Sequence, residues 1–184
     1  MSGLHDQRYE PTNLPYRMAV LCYLWTEDDR LLMLHRCREP NPGRFSPIGG
    51  KMEISEGETP HECARREIME EAGIEIPEKD IRMTALVAEK AYQFQMHWML
   101  FCFEVTRRID PDELPRTEFE EGTLEWIPVE EVEHRNLPET DQKVLWPLIK
   151  PRRHQPGFLM VEIDCGGDEL AWKIVEDTTV PVGG

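Results

Sequence analysis

The sequence predicts a mixed α+β fold, and three features carry that expectation. Thr59 to Gly73 has the start, the stripe and the stop of a helix. Most other apolar residues fall in short runs bounded by Gly, Pro or acidic residues, as strands do. Near the C-terminus, Gly166-Gly167 separates two such runs and marks a hairpin.

Residues 1–16, with Pro11 and Pro15, read as an irregular arm ahead of one domain spanning 17–184. Arg17 to Trp25 and Arg30 to Cys37 flank the acidic turn Glu27-Asp28-Asp29 and suggest a β-hairpin. Arg38 to Gly50, punctuated by Pro and Gly, reads as a long loop of the kind that carries binding residues. In the helix, Thr59 is placed to N-cap, Pro60 suits the first position and Glu62 completes a capping box. Ala64, Ile68 and Ala72 form a narrow apolar stripe, and Gly73 offers a left-handed stop. Ile81 to Tyr92 and Met96 to Thr106 read as strands, and Leu124 to Ile127 as a short one. Val129 to Val132 and Glu139 to Ile149 suggest helices, and Phe158 to Asp164 with Glu169 to Val175 form the closing hairpin.

Composition narrows the function. With 36 acidic and 21 basic residues the net charge is −15, which disfavours a partner such as DNA or RNA whose phosphates need a basic surface. An acidic chain still binds a small phosphorylated molecule when divalent cations lie between the two sets of charge. The five cysteines show no CxxC pair and mostly sit in apolar runs, as reduced thiols of a cytoplasmic protein do. No stretch approaches 18 apolar residues, so neither a signal peptide nor a membrane span is expected.

The chemistry concentrates on the helix. Glu67, Glu70 and Glu71 stand at i, i+3 and i+4, and like charges at that spacing repel. Hard oxygen donors crowded on one face suit Mg²⁺, with Mn²⁺ as a substitute. Arg66 is placed to orient a carboxylate through paired N–H donors. His35, His61 and His97 lack the spacing of zinc ligands. Trp98 and Phe101 suit core packing better than base stacking.

The pattern extends well beyond three glutamates. Gly49-Gly50, Gly57-Glu58 and Arg66-Glu67-Ile68-Met69-Glu70-Glu71-Ala72-Gly73-Ile74 resemble the Nudix box. The second half fits at every specified position; in the first half seven residues rather than five separate Gly50 from Glu58, an insertion around Ile54-Ser55-Glu56. The resemblance implies the Nudix fold, an α/β/α sandwich around a mixed β-sheet. It also implies metal held by the Gly50 carbonyl, Glu67, Glu70 and Glu71, with one of these glutamates doubling as base and Glu58 and Arg66 in support. A glutamate from outside the helix completes such sites; among Glu118, Glu120 and Glu121 the family pattern favours Glu121.

The end of the chain is similar to MutT-related triphosphatases of oxidised purine nucleotides. That likeness implies Mg²⁺-dependent conversion of a nucleoside triphosphate to monophosphate and pyrophosphate. Glu139, Thr140 or Asp141 would then face the base, Phe45 to Ile48, Ser46 among them, would line the floor, and Arg36 and Lys51 would meet substrate. Ser46 stands where some of those enzymes carry a base-reading asparagine. Two alternatives stay open: a pyrophosphatase of ADP-ribose or a nucleotide sugar, and a non-catalytic nucleotide-sensing module. A homodimer is also left open.

Overall fold

The computed structural model describes residues 14–39 and 41–179. Most of the expected arm, and residues 180–184 at the end of the expected domain, lie outside them. In chain order the strands are β1 (Tyr16–Tyr23), β2 (Arg30–Arg36), β3 (Phe45–Pro47), β4 (Ile81–Tyr92), β5 (Met96–Val105), β6 (Glu118–Phe119), β7 (Gly122–Pro128), β8 (Leu159–Asp164) and β9 (Ala171–Asp177). One sheet runs β1-β5-β4-β8-β9 and a smaller one β3-β2-β7-β6. In the larger sheet β1–β5 and β4–β8 are parallel, while β4–β5 and β8–β9 are antiparallel, so it is mixed.

Period-2 alternation in β1 sends successive side chains to opposite faces. Ala19 and Tyr23 join a core with Val144, Leu145, Trp146 and Ile149 of the C-terminal helical segment. Val20, Cys22 and Leu24 join a second core with Cys63, Ala64, Ile68 and Ala72. Helical cover on both faces of the mixed sheet is the α/β/α arrangement that the sequence implied. The closing hairpin is present as the antiparallel pair β8–β9.

The first helix, α1 (Pro60–Glu67), forms the expected capping box. Thr59 Oγ1 accepts from the Glu62 N–H at 3.3 Å, and the Glu62 carboxylate accepts from the Thr59 N–H at 2.8 Å. A π-helical turn, Ile68–Ala72, prolongs it to Gly73, whose φ of 69° closes the helix. Residues 141–145 of the second helical segment are also wound as a π turn, ahead of α2 (Trp146–Ile149). The inserted residues Ile54–Glu56 make a 3₁₀ turn ended by left-handed Gly57.

Three expectations need correction. The first hairpin exists only at its turn, where Thr26 N–H bonds Arg30 O and Trp25 bridges Leu31. Beyond it β1 pairs with β5 and β2 with β7, because both runs are apolar on both faces and a lone hairpin covers neither. The helix expected at Val129 to Val132 is a turn followed by one 3₁₀ turn, Val132–His134; so few residues give up helix nucleation without recovering it. The loop 38–50 contains a strand, β3, zipped onto β2 through Met33, Leu34 and His35.

Candidate active site

Arg66 organises the acidic helix face. Its Nε donates to Glu58 Oε1 at 2.7 Å and Nη2 to Glu58 Oε2 at 3.1 Å, the bidentate fork that only guanidinium offers. Its Nη1 reaches Glu67 Oε1 at 2.7 Å and Glu70 Oε2 at 3.1 Å, and Nη2 also donates to the Lys51 carbonyl. One cation thus joins the loop before the helix to two of its three glutamates. Glu58 is fixed in turn by the Glu53 N–H at 2.8 Å.

The glycine pair closes against this face. The Gly49 N–H donates to Glu71 Oε2 at 3.0 Å, and the Gly50 carbonyl accepts from Val20 N–H at 2.9 Å. A Cβ on Gly50 would stand 2.3 Å from Glu67 Oε1, so the carboxylate occupies the place of a missing side chain. From the smaller sheet, the Arg36 guanidinium contacts Glu121 Oε2 at 3.2 Å.

A pocket of about 430 Å³ opens beside these groups. Of the residues singled out in the sequence, Arg36, Ser46, Gly50, Lys51, Arg66, Glu67, Glu70, Glu121 and Asp141 line it. Four do not. Glu58 sits behind Arg66, and Glu71 is buried against Gly49. Phe45 is turned away, stacked on His35 at 4.4 Å. Glu139 points to solvent and pairs with Lys143 one helical turn on, which leaves Thr140 and Asp141 to face inward. Glu89, Tyr92, Trp98 and Thr140 also line the pocket, and of these only Trp98 and Thr140 had been weighed at all. A larger cleft of about 690 Å³ between β4, β8 and β9 contains none of the helix glutamates.

The model of the NUDIX domain matches residues 15–148, well over half of the chain. The chain belongs to the Nudix family. RNA pyrophosphohydrolase from Cereibacter sphaeroides is 38% identical over 69 residues, 38% of this chain and 41% of that protein. The match thus spans about two fifths of the curated relative's length. Among solved structures, a mutator MutT protein from Bacillus halodurans superposes with a TM-score of 0.66 at 23% identity, over 86% of this chain and 97% of that one. The Nudix domain of Shewanella oneidensis NrtR, solved with ADP ribose, gives 0.62 at 17% identity over 78% and 93%. These likenesses show the Nudix fold.

Nudix hydrolases generally use divalent cations, and the donor set tests well against one. Among the described residues no three Asp, Glu, His or Cys side chains already converge as a metal cluster does; the Arg66 guanidinium stands between Glu67 and Glu70. The chemistry fits nonetheless. Glu67 and Glu71 are buried oxygen donors of a single sign, and the Gly50 carbonyl, bonded to Val20 N–H, is otherwise met only by a weak thiol contact from Cys63 at 3.9 Å.

Burial raises the Glu67 carboxyl above the usual range against the pull of Arg66, and pushes Glu71 up to about 8 despite the Gly49 hydrogen bond. Burial likewise lifts Glu89 to about 7 and Asp141 to about 8. A carboxyl whose pKa is higher folded than unfolded keeps its proton longer in the native state. Between pH 5 and 8 the folded chain therefore binds more protons, and stability falls as pH rises. Asp29 and Asp177, held near 2 mainly by Arg153 and Arg152, are already ionised there and add no slope. Without metal the melting temperature should drop from pH 5.5 to 8, and saturating Mg²⁺ should raise it most at pH 8. Thermal scans at both pH values, with and without Mg²⁺, check this; a metal shift independent of pH would count against the buried acids as ligands.

Proposed function

We propose that this Nudix chain is a Mg²⁺-dependent pyrophosphohydrolase that converts a nucleoside triphosphate, including an oxidised one, to monophosphate and pyrophosphate. One observation carries the reading: a single pocket has acids and cations fit for a metal–phosphate group at one wall, and an aromatic, hydrogen-bonding end for a base at the other. The curated relatives are named RNA pyrophosphohydrolase, which supports the same bond being cleaved.

Glu67, Glu70 and Glu121 with the Gly50 carbonyl would hold the ion, and Glu71 beside Gly49 would add its charge from behind. Bound Mg²⁺ neutralises phosphate charge and makes water more acidic. Glu70 is the most exposed carboxylate of the helix set and takes the proton from the attacking water. Arg66 keeps Glu67 and Glu70 apart in fixed positions, as in-line attack on a phosphorus requires. Arg36 and Lys51 flank the same wall and meet the phosphates.

The test is a panel of nucleoside triphosphates, ADP-ribose, nucleotide sugars and dinucleoside polyphosphates in millimolar Mg²⁺, with pyrophosphate and phosphate measured separately. Pyrophosphate release from a triphosphate, abolished by excess EDTA, is expected. Full activity in EDTA would overturn the mechanism. Turnover of ADP-ribose or a nucleotide sugar alone would move the substrate class, and inertness on the whole panel would leave a binding module.

A further inference from the structure

We infer that Glu89 is a specificity-determining residue: at the inner end of the pocket it accepts a hydrogen bond from the exocyclic amino group of a guanine-type base. The inference rests on the pocket being a nucleotide site, as proposed above.

Glu89 lies on β4 opposite Trp98, just before a register shift in which Ala91 adopts a φ of 57°. It is only 3% exposed, between buried Val87 and Ala91 at the alternate positions of β4. Thr140 lies against its carboxyl, yet Oε1 is buried with no hydrogen-bond partner. A buried acceptor left unmade is costly, so its retention calls for a donor from elsewhere. Ser46 Oγ, in the same pocket, is also buried without a partner. Asp141, half-buried, lines the same pocket and adds a second carboxyl close enough to act on Glu89.

Glu89 Oε1 is thus an acceptor in this pocket that the protein itself leaves without a donor. Uracil and thymine present carbonyls on both sides of one N–H, and carbonyls cannot satisfy carboxylate oxygens. Adenine and cytosine place their amino group next to a ring acceptor. Hypoxanthine has a ring N–H without an amino neighbour. Guanine sets a ring N–H beside an amino group, two parallel donors of the sort that match paired carboxyl oxygens. Trp98 and Tyr92 supply the aromatic walls for the ring.

Guanosine and inosine 5′-monophosphates differ only in that amino group, so calorimetric titration of the full chain with each, in Mg²⁺, isolates it. Charge-assisted buried hydrogen bonds imply a preference for the guanosine nucleotide of about 10-fold or more. Glu89→Met, similar in length and free of the orphaned acceptor, should keep or raise the melting temperature and bring the ratio to about 1. Equal affinities in the wild type, no binding of either nucleotide, or an unchanged ratio in Glu89→Met would each overturn the inference. The ratio on the wild type stands even if the variant fails to fold. Pyrophosphate release without discrimination sinks this inference alone; discrimination without turnover of any triphosphate sinks the hydrolase reading alone.

Discussion

Glu70→Gln should lower turnover by about 10²–10⁴-fold, the usual worth of a positioned general base, while leaving the melting temperature nearly unchanged. Its side chain is 58% exposed and its structural tie is one contact with Arg66 four residues earlier. Exposed pairs at that spacing contribute about 0.3–0.5 kcal/mol, too little to threaten the fold. Glu67→Gln makes the informative contrast. That carboxylate is buried, bonded to the Arg66 guanidinium and packed against Gly50. Its loss should weaken Mg²⁺ binding as well as rate, so activity recovers partly at high metal. Pyrophosphate release across a Mg²⁺ series, alongside melting curves, separates the two. Wild-type turnover in Glu70→Gln at saturating Mg²⁺ would remove Glu70 from the mechanism.

What could be read in the sequence follows how local each feature is. The capping box at Thr59, the stop at Gly73 and the turn around Gly166 depend on neighbours in the chain, and each stands where the residues placed it. The partner of β1 was not legible, because Tyr16–Tyr23 pairs in parallel with a strand some 80 residues on, and nothing in either run encodes that register. The helix glutamates were found as a set, but spacing on an ideal helix made them equivalent. The π turn over Ile68–Ala72 changes which residue lies over which, so Glu71 turns inward to Gly49 while Glu70 stays at the pocket. At the other end the same device operates: the π turn at Asp141 follows inward-facing Thr140, and Glu139 is left in solvent. Glu89 carried no signal in one dimension. Inside the run Ile81–Tyr92 it reads as an outward strand position, and only the crossing of β4 beneath the second helical segment buries it against Thr140.

Gly50→Ala and Gly49→Ala, one residue apart, should fail in different ways. At Gly50 the added Cβ would meet only the far end of a side chain, with Glu67 Oε1 at 2.3 Å and Oε2 at 2.7 Å. The backbone there needs no left-handed conformation, so the protein should fold, and the carboxylate should swing aside. Because displacing a reacting group by about 1 Å costs roughly 10²-fold, turnover should fall by at least that factor with little change in melting temperature. At Gly49 the φ of 147° is one that L side chains rarely adopt, and a Cβ would lie 2.1 Å from the Val20 carbonyl oxygen. Backbone cannot yield as a carboxylate does. The strain alone is worth about 1–3 kcal/mol. Relief of the clash would also pull the Ile48 and Gly50 carbonyls from the Cys22 and Val20 N–H groups that tie this loop to β1. Gly49→Ala should therefore melt several degrees lower and lose activity along with folded protein. Melting curves and turnover per folded molecule on both variants decide it. A Gly50→Ala protein with wild-type turnover would mean that the position of Glu67 does not matter to the chemistry, and the metal–phosphate wall would have to be reassigned.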